Sequence, residues 1–229
     1  MTPASLQLPF SFAFASEARF GSFCGEVANA PLLHHLQQTS QAAGQFTWLW
    51  GDAGCGKTHL LQAFCHANPE AIFLPLQKLL AYEPASLGSL LHSSLLVLDD
   101  VELLAGKREW EEQLFMLCQH LLVSGGRLLC AAQSPPAQLP FVLADLQSRL
   151  QLALVYEVHE LSDAGKATVL TERAKQRGIE LREEVVSFIL ARNQRNLHDL
   201  MAVLDQLDRQ ALAEQRKITI PFIKACLGW

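Results

Sequence analysis

Short apolar runs alternate with amphipathic stretches over the first two thirds of the chain, and beyond His159 only helical periodicity remains. The segments 45–50, 71–75, 94–98, 127–132 and 152–159 are rich in Leu, Val, Ile, Phe and Trp, and each is bounded by Gly, Pro, Asn or acidic residues, which predicts strands. Ser94-Leu-Leu-Val-Leu98 and Arg127-Leu-Leu-Cys-Ala-Ala132 are nearly continuous in apolar character, as strands covered on both faces are. Between them lie helical stretches: 30–41, a helix opening at His59, a leucine-rich connection over 76–93, and a helix end at Asp145-Leu-Gln-Ser-Arg-Leu150. Trp110, Leu114, Leu117, Cys118 and Leu121 recur at helical spacing and make one apolar face, which Gly125-Gly126 ends. Strands alternating with helices predict an α/β fold, a parallel sheet with helices on both faces.

After His159 the pattern changes. Ser162 offers a cap to a helix running to Gly178, and a second helix covers 182–192. In a third, Leu197, Leu200, Met201, Leu204, Leu207 and Ala211 form an apolar stripe, and Thr219-Ile-Pro-Phe222 opens a fourth. The predicted organisation is a tail over 1–16, an α/β domain over 17–160 and a small all-α domain over 161–229.

Composition narrows the partners. The net charge is −5, so the surface as a whole is no magnet for nucleic acid. It is uneven: residues 1–159 hold 7 Lys/Arg against 13 Asp/Glu, and residues 160–229 hold 11 against 10. The 6 cysteines show neither C-x-x-C pairs nor metal-ligand spacing. With no signal peptide and no apolar run long enough to span a bilayer, the expectation is a reduced, cytoplasmic protein without a membrane.

Candidate chemistry starts at Gly51-Asp-Ala-Gly-Cys-Gly-Lys-Thr58, a G-x-x-x-x-G-K-[ST] P-loop between a predicted strand and a helix. Its glycines let successive N–H groups point at an anion, and the helix N-terminus adds partial positive charge. Lys57 is placed for β- and γ-phosphates and the Thr58 hydroxyl for Mg²⁺. Asp99 and Asp100 end a buried strand where open parallel sheets place their ligands. Asp99 is expected to hold Mg²⁺ and Asp100 to orient or deprotonate the attacking water. Gln133, at the tip of the next strand, is placed to sense the γ-phosphate or that water. Leu6-Gln-Leu-Pro-Phe10 is an apolar peptide ahead of any domain, read either as a locally packed tail or as a linear docking peptide.

Together these features resemble the AAA+ ATPases and, within them, the DnaA family with its shorter Hda homologues. The resemblance is carried by Phe20-Gly-Ser-Phe-Cys-Gly25 with Asn29, Gly56-Lys-Thr-His-Leu60, Leu98-Asp-Asp-Val101, Ser134-Pro-Pro136, Leu146-Gln-Ser-Arg-Leu150, Leu204-Asp-Gln-Leu-Asp208 and Thr219-Ile-Pro-Phe222. DnaA continues beyond its lid into a duplex-binding domain, whereas this chain ends at Trp229, which favours the Hda type. The resemblance implies nucleotide contacts from Phe23, Gly51, Ala53, Gly54, Cys55, Gly56, Lys57, Thr58, His59 and, in the helical lid, His198. It implies an arginine finger, Arg149, acting in trans on a partner's nucleotide. It also implies docking on the polymerase sliding clamp through Leu6, Leu8, Pro9 and Phe10, with Ser5 where the family has Gln. DNA is then met only through the clamp, and a homo-oligomer is left open. His198 in place of a sensor Arg, and Gln133 in place of Asp, suggest a chain that holds ADP or another diphosphate better than it hydrolyses ATP. The function expected is stimulation of ATP hydrolysis by DnaA, with weak hydrolysis of its own. The alternative is an ATP-driven helicase loader or clamp loader. A nucleotide kinase fits less well, because no Arg-rich substrate lid is present.

Overall fold

The computed structural model describes residues 18–23, 27–38, 43–192 and 197–229, with only the backbone of His198. The expected docking residues Leu6, Leu8, Pro9 and Phe10 lie outside the described residues, as does the His198 side chain. The chain divides into two compact units, one of residues 1–52 and 56–159, the other of 53–55 and 160–229.

The first unit is built on a parallel sheet of β1 (Phe46–Trp50), β2 (Ile72–Pro75), β3 (Leu95–Asp99), β4 (Arg127–Ala132) and β5 (Leu154–Glu157), in the order β2-β3-β4-β1-β5. Its helices are α1 (Ala30–Gln38), α2 (Lys57–Ala67), the single turn α3 (Leu76–Leu79), α4 (Arg108–Ser124) and α5 (Ala144–Leu150). The connection from β1 to β2 crosses the sheet one way, and those through α4 and α5 cross it the other way. Right-handed crossovers therefore put α2 on one face and α4 and α5 on the opposite face. Period-two alternation matches. Phe46, Trp48, Leu96, Leu98, Leu128 and Cys130 share a core with Leu114, Cys118, Leu121, Leu146 and Leu150 of α4 and α5. The residues between them, Leu49, Val97, Asp99 and Leu129, face the α2 side. The apolar face expected for α4 is buried throughout, and Gly125 closes that helix at φ 71.

Two expectations change. The leucine-rich stretch 76–93 is not one helix: α3 stops at Leu79, and a 3-10 run follows over Pro84–Leu90. Pro84 lacks an N–H and holds Glu83 extended at ψ 142, so the helix cannot pass through, although Leu76, Leu79, Leu87 and Leu90 are still buried. The last strand is shorter than 152–159 and lies at the sheet edge, leaving Leu154 and Val155 half exposed.

The second unit holds α6 (Asp163–Gln176), α7 (Glu183–Arg192), α8 (Leu197–Glu214) and α9 (Ile220–Leu227). Ser162 Oγ accepts the Gly165 N–H at 3.1 Å, and Thr219 Oγ1 accepts the Phe222 N–H at 3.4 Å, so both predicted starts are capped. Leu170, Val186, Ile189, Leu200, Leu204, Leu207, Phe222 and Ile223 form its core. No helix among the described residues is long and apolar enough to cross a membrane.

Candidate functional site

β1 delivers the chain into the glycine loop, and Trp48 fixes that strand sideways by donating from Nε1 to the Ser134 carbonyl at 3.0 Å. Gly54 and Gly56 adopt φ 82 and 105, which L side chains rarely tolerate. Space is a second reason for glycine at 56: a Cβ there would meet Phe23 Cε2 at 2.8 Å. Phe23 is held over the loop by the segment before it. His59 Nε2 lies 3.1 Å from the Arg19 carbonyl and 3.3 Å from Ser22 Oγ, and its ring centroid is 5.9 Å from that of Phe23. Phe23, Gly56 and His59 are thus brought together. Ala53 is exposed and Cys55 buried.

Gly56 is also the N-cap of α2, and having no side chain it leaves the first-turn N–H groups to a ligand. Lys57, the next residue, is buried. Its ammonium donates to the Gly51 carbonyl at 2.7 Å and the Asp52 carbonyl at 2.8 Å, which curls the side chain along the loop.

Asp99 ends β3 on the α2 face and is 3 % exposed. Burial pushes its carboxyl up to about 6; the neighbouring Asp100 charge adds to this, while the Thr58 hydroxyl and Lys57 oppose it. Its Oδ1 is buried with no hydrogen-bond partner among the described residues. An orphaned carboxylate oxygen beside a threonine hydroxyl fits a divalent cation or a water held by one. No group of three or more His, Cys, Asp or Glu suited to a metal occurs among the described residues. Asp100 then turns the backbone at φ 61, ψ 47, a left-handed conformation uncommon outside glycine, and opens the 3-10 turn Val101–Leu104.

That turn brings in a residue the motif reading missed. Glu102 has a buried Oε2 with no hydrogen-bond partner among the described residues, and burial raises its carboxyl, with Asp100 adding to the rise and Lys57 and the Gln133 backbone N–H opposing it. Glu102 therefore belongs to the same centre as Asp100, Lys57 and the tip of β4, where the Gln133 side chain is exposed. No motif spacing marks it among the acids that follow Asp100 in the sequence.

Arg149 lies elsewhere. α5 ends at Leu150, and β5 begins at Leu154, which pairs with Thr47 near the start of β1. The end of α5 is therefore at the edge of the sheet where strands begin, whereas the P-loop and the acids are where strands end. Arg149 is half-buried. Its charge reaches Cys118 on α4, whose thiol burial pushes up to about 12 while Arg149 acts in the opposite sense.

A five-strand parallel sheet in this order, with a P-loop after β1 and acids closing β3, defines an AAA+ protein. Residues 88–157 match the family model of the bacterial DnaA ATPase domain, and residues 163–227 match that of the Hda lid domain. Domain III of the replication initiation protein DnaA from Thermotoga maritima superposes with a TM-score of 0.83 at 20% identity, over 95% of this chain and 98% of that one. AMPPCP-bound DnaA from Aquifex aeolicus gives 0.69 at 22% identity, over 83% and 65%. The Holliday junction branch migration motor RuvB of Thermotoga maritima gives 0.66 at 14%, over 88% and 66%. The chain is an Hda/DnaA-like AAA+ protein.

Proposed function

We propose that this chain is a cytoplasmic regulator of replication initiation that stimulates ATP hydrolysis by the initiator DnaA while bound to a diphosphate and to the polymerase sliding clamp. The observation that carries this reading is the placement of Arg149 at the strand-start edge of the sheet, opposite the chain's own P-loop and acids. An arginine so placed serves a nucleotide on another subunit. Its planar, permanently charged fork bridges phosphate oxygens as negative charge spreads in the transition state. The Hda-type lid supports the regulatory reading, and the DnaA-like core supports the choice of partner.

Within the chain, the α2 N-terminus and Lys57 hold a diphosphate, Phe23 covers it, and Thr58 and Asp99 hold Mg²⁺. When bound, that cation neutralises phosphate charge. For Lys57 to reach a phosphate it must exchange its bonds to the Gly51 and Asp52 carbonyls, which an anion in the loop drives. The segment 5–10 docks on the clamp.

The test is conversion of initiator-bound ATP with clamp loaded on DNA. Arg149→Ala folds and binds ADP like the parent but loses stimulation; fingers of this kind contribute about 10³–10⁵ in rate elsewhere. Arg149→Lys recovers little, because a point charge does not replace the fork. Full stimulation by Arg149→Ala removes the trans finger and leaves a binding module.

A further inference from the structure

α4 carries an acid with no part in the nucleotide centre. Glu111 stands in its first turn, on the same face as Leu114, Cys118 and Leu121, and is 0% exposed. A carboxylate in that position needs donors on all sides. Among the described residues it has three, all backbone. Glu111 Oε1 accepts the Gly106 N–H at 2.7 Å and the Val142 N–H at 3.1 Å, and Oε2 accepts the Leu143 N–H at 2.7 Å. Gly106 belongs to the turn that follows the acids of β3, at φ +81. Leu143 is the residue from which α5 starts, and it supplies no side-chain cap of its own.

We propose that Glu111 is a positioning residue for Arg149: its buried carboxylate ties the turn after Asp99 and Asp100 to the start of α5 and so fixes where the arginine is presented. α5 is one short helix of 7 residues. At 1.5 Å per residue it spans only about 10 Å, so a shift at Leu143 is carried to Arg149 with little to absorb it. Glu111 bonds both segments at once, and the carboxylate is needed rather than an amide. Gln keeps the shape, but its NH₂ meets an N–H donor where one carboxylate oxygen accepted. The proposal rests on Arg149 acting in trans, and the experiment separates the two.

The full chain and Glu111→Gln are compared by initiator-bound ATP conversion and by the Arg149 Nε–Hε resonance in ¹⁵N spectra. Expected is a loss of maximal stimulation of roughly ten- to a hundredfold, the scale of a misplaced group, with ADP affinity and half-saturating initiator concentration within about twofold of the parent. The Nε–Hε resonance shifts. On an Arg149→Ala background Glu111→Gln has no further effect. Unchanged stimulation with an unmoved resonance overturns the proposal, and so does a loss of ADP affinity as large as the loss of stimulation. If the parent chain itself does not stimulate, the function proposed above fails, while the resonance still decides the positioning. Should Glu111→Gln not fold, amide exchange in the parent decides: Gly106, Val142 and Leu143 exchange together through one opening, and three independent rates overturn the link.

Discussion

A carboxylate that is buried before its ligand arrives destabilises the fold that carries it, and Asp99 is such a group. The unfolded chain releases this proton near 3.8, whereas the folded chain keeps it to about 6. Between those pH values the folded state binds more protons than the unfolded state, so this residue's contribution to stability falls as pH rises and stays low above about 6. Asp99→Asn therefore stabilises the ligand-free protein at pH 7.5 by on the order of 2 kcal/mol, with the gain vanishing towards pH 4, as urea titrations at the two pH values will show. The same variant loses Mg²⁺-dependent nucleotide affinity. Lys57, Asp99 and Asp100 were legible because spacing and neighbours announce them: a P-loop of fixed length, and a buried strand ending in acids. Glu102 and Glu111 were not singled out, because acids in the acidic stretch 99–112 carry no spacing signal. For Glu111 the physical clue was present. It falls in step with Leu114, Cys118 and Leu121, and an acid on an apolar helical face has to be satisfied by donors that only the fold brings near.

At the scale of elements, periodicity read α4, α6 and the apolar strands well because one face or both faces are buried over many residues. It failed over 76–93, where buried leucines at helical intervals are served equally by a 3-10 run and Pro84 decides the matter. β5 was read longer than it is because an apolar edge strand looks like a buried one in sequence. Termination chemistry is also open to test. α8 ends with Gln215 at φ 53, and the Arg216 N–H bonds the Ala211 carbonyl at 3.1 Å, the closing bond of a left-handed helix stop. An L residue is strained there and glycine is not, so Gln215→Gly is expected to stabilise the helical unit by about 1 kcal/mol. A thermal melt of the variant at constant nucleotide concentration checks this, and a lower melting temperature would place the cost elsewhere than in the backbone.

At the scale of the whole molecule, the change from alternating strands and helices to helices alone was legible in the sequence. The opposition of P-loop and Arg149 across the sheet was not, since it depends on strand order and crossover handedness. The clamp-docking assignment remains a matter of residues 5–10, and the described contacts bear on how to test it. The described chain opens at Ala18, which is buried, and the clasp of Arg19, Ser22 and Phe23 on His59 and Gly56 lies wholly within residues 18–59. A chain starting at Ala15 keeps all of these contacts, so it should melt with the parent and bind ADP equally well. It loses Leu8 and Phe10, whose burial in an apolar pocket contributes roughly 3–6 kcal/mol before ordering costs. A micromolar complex takes about 8 kcal/mol, so these two side chains supply only part of it. The shortened chain should therefore lose clamp binding by calorimetry and lose stimulation of the initiator when clamp is the loading platform. Retained stimulation with clamp binding gone would mean that Arg149 reaches the initiator without the clamp, and clamp affinity equal to the parent's would make the tail a bystander.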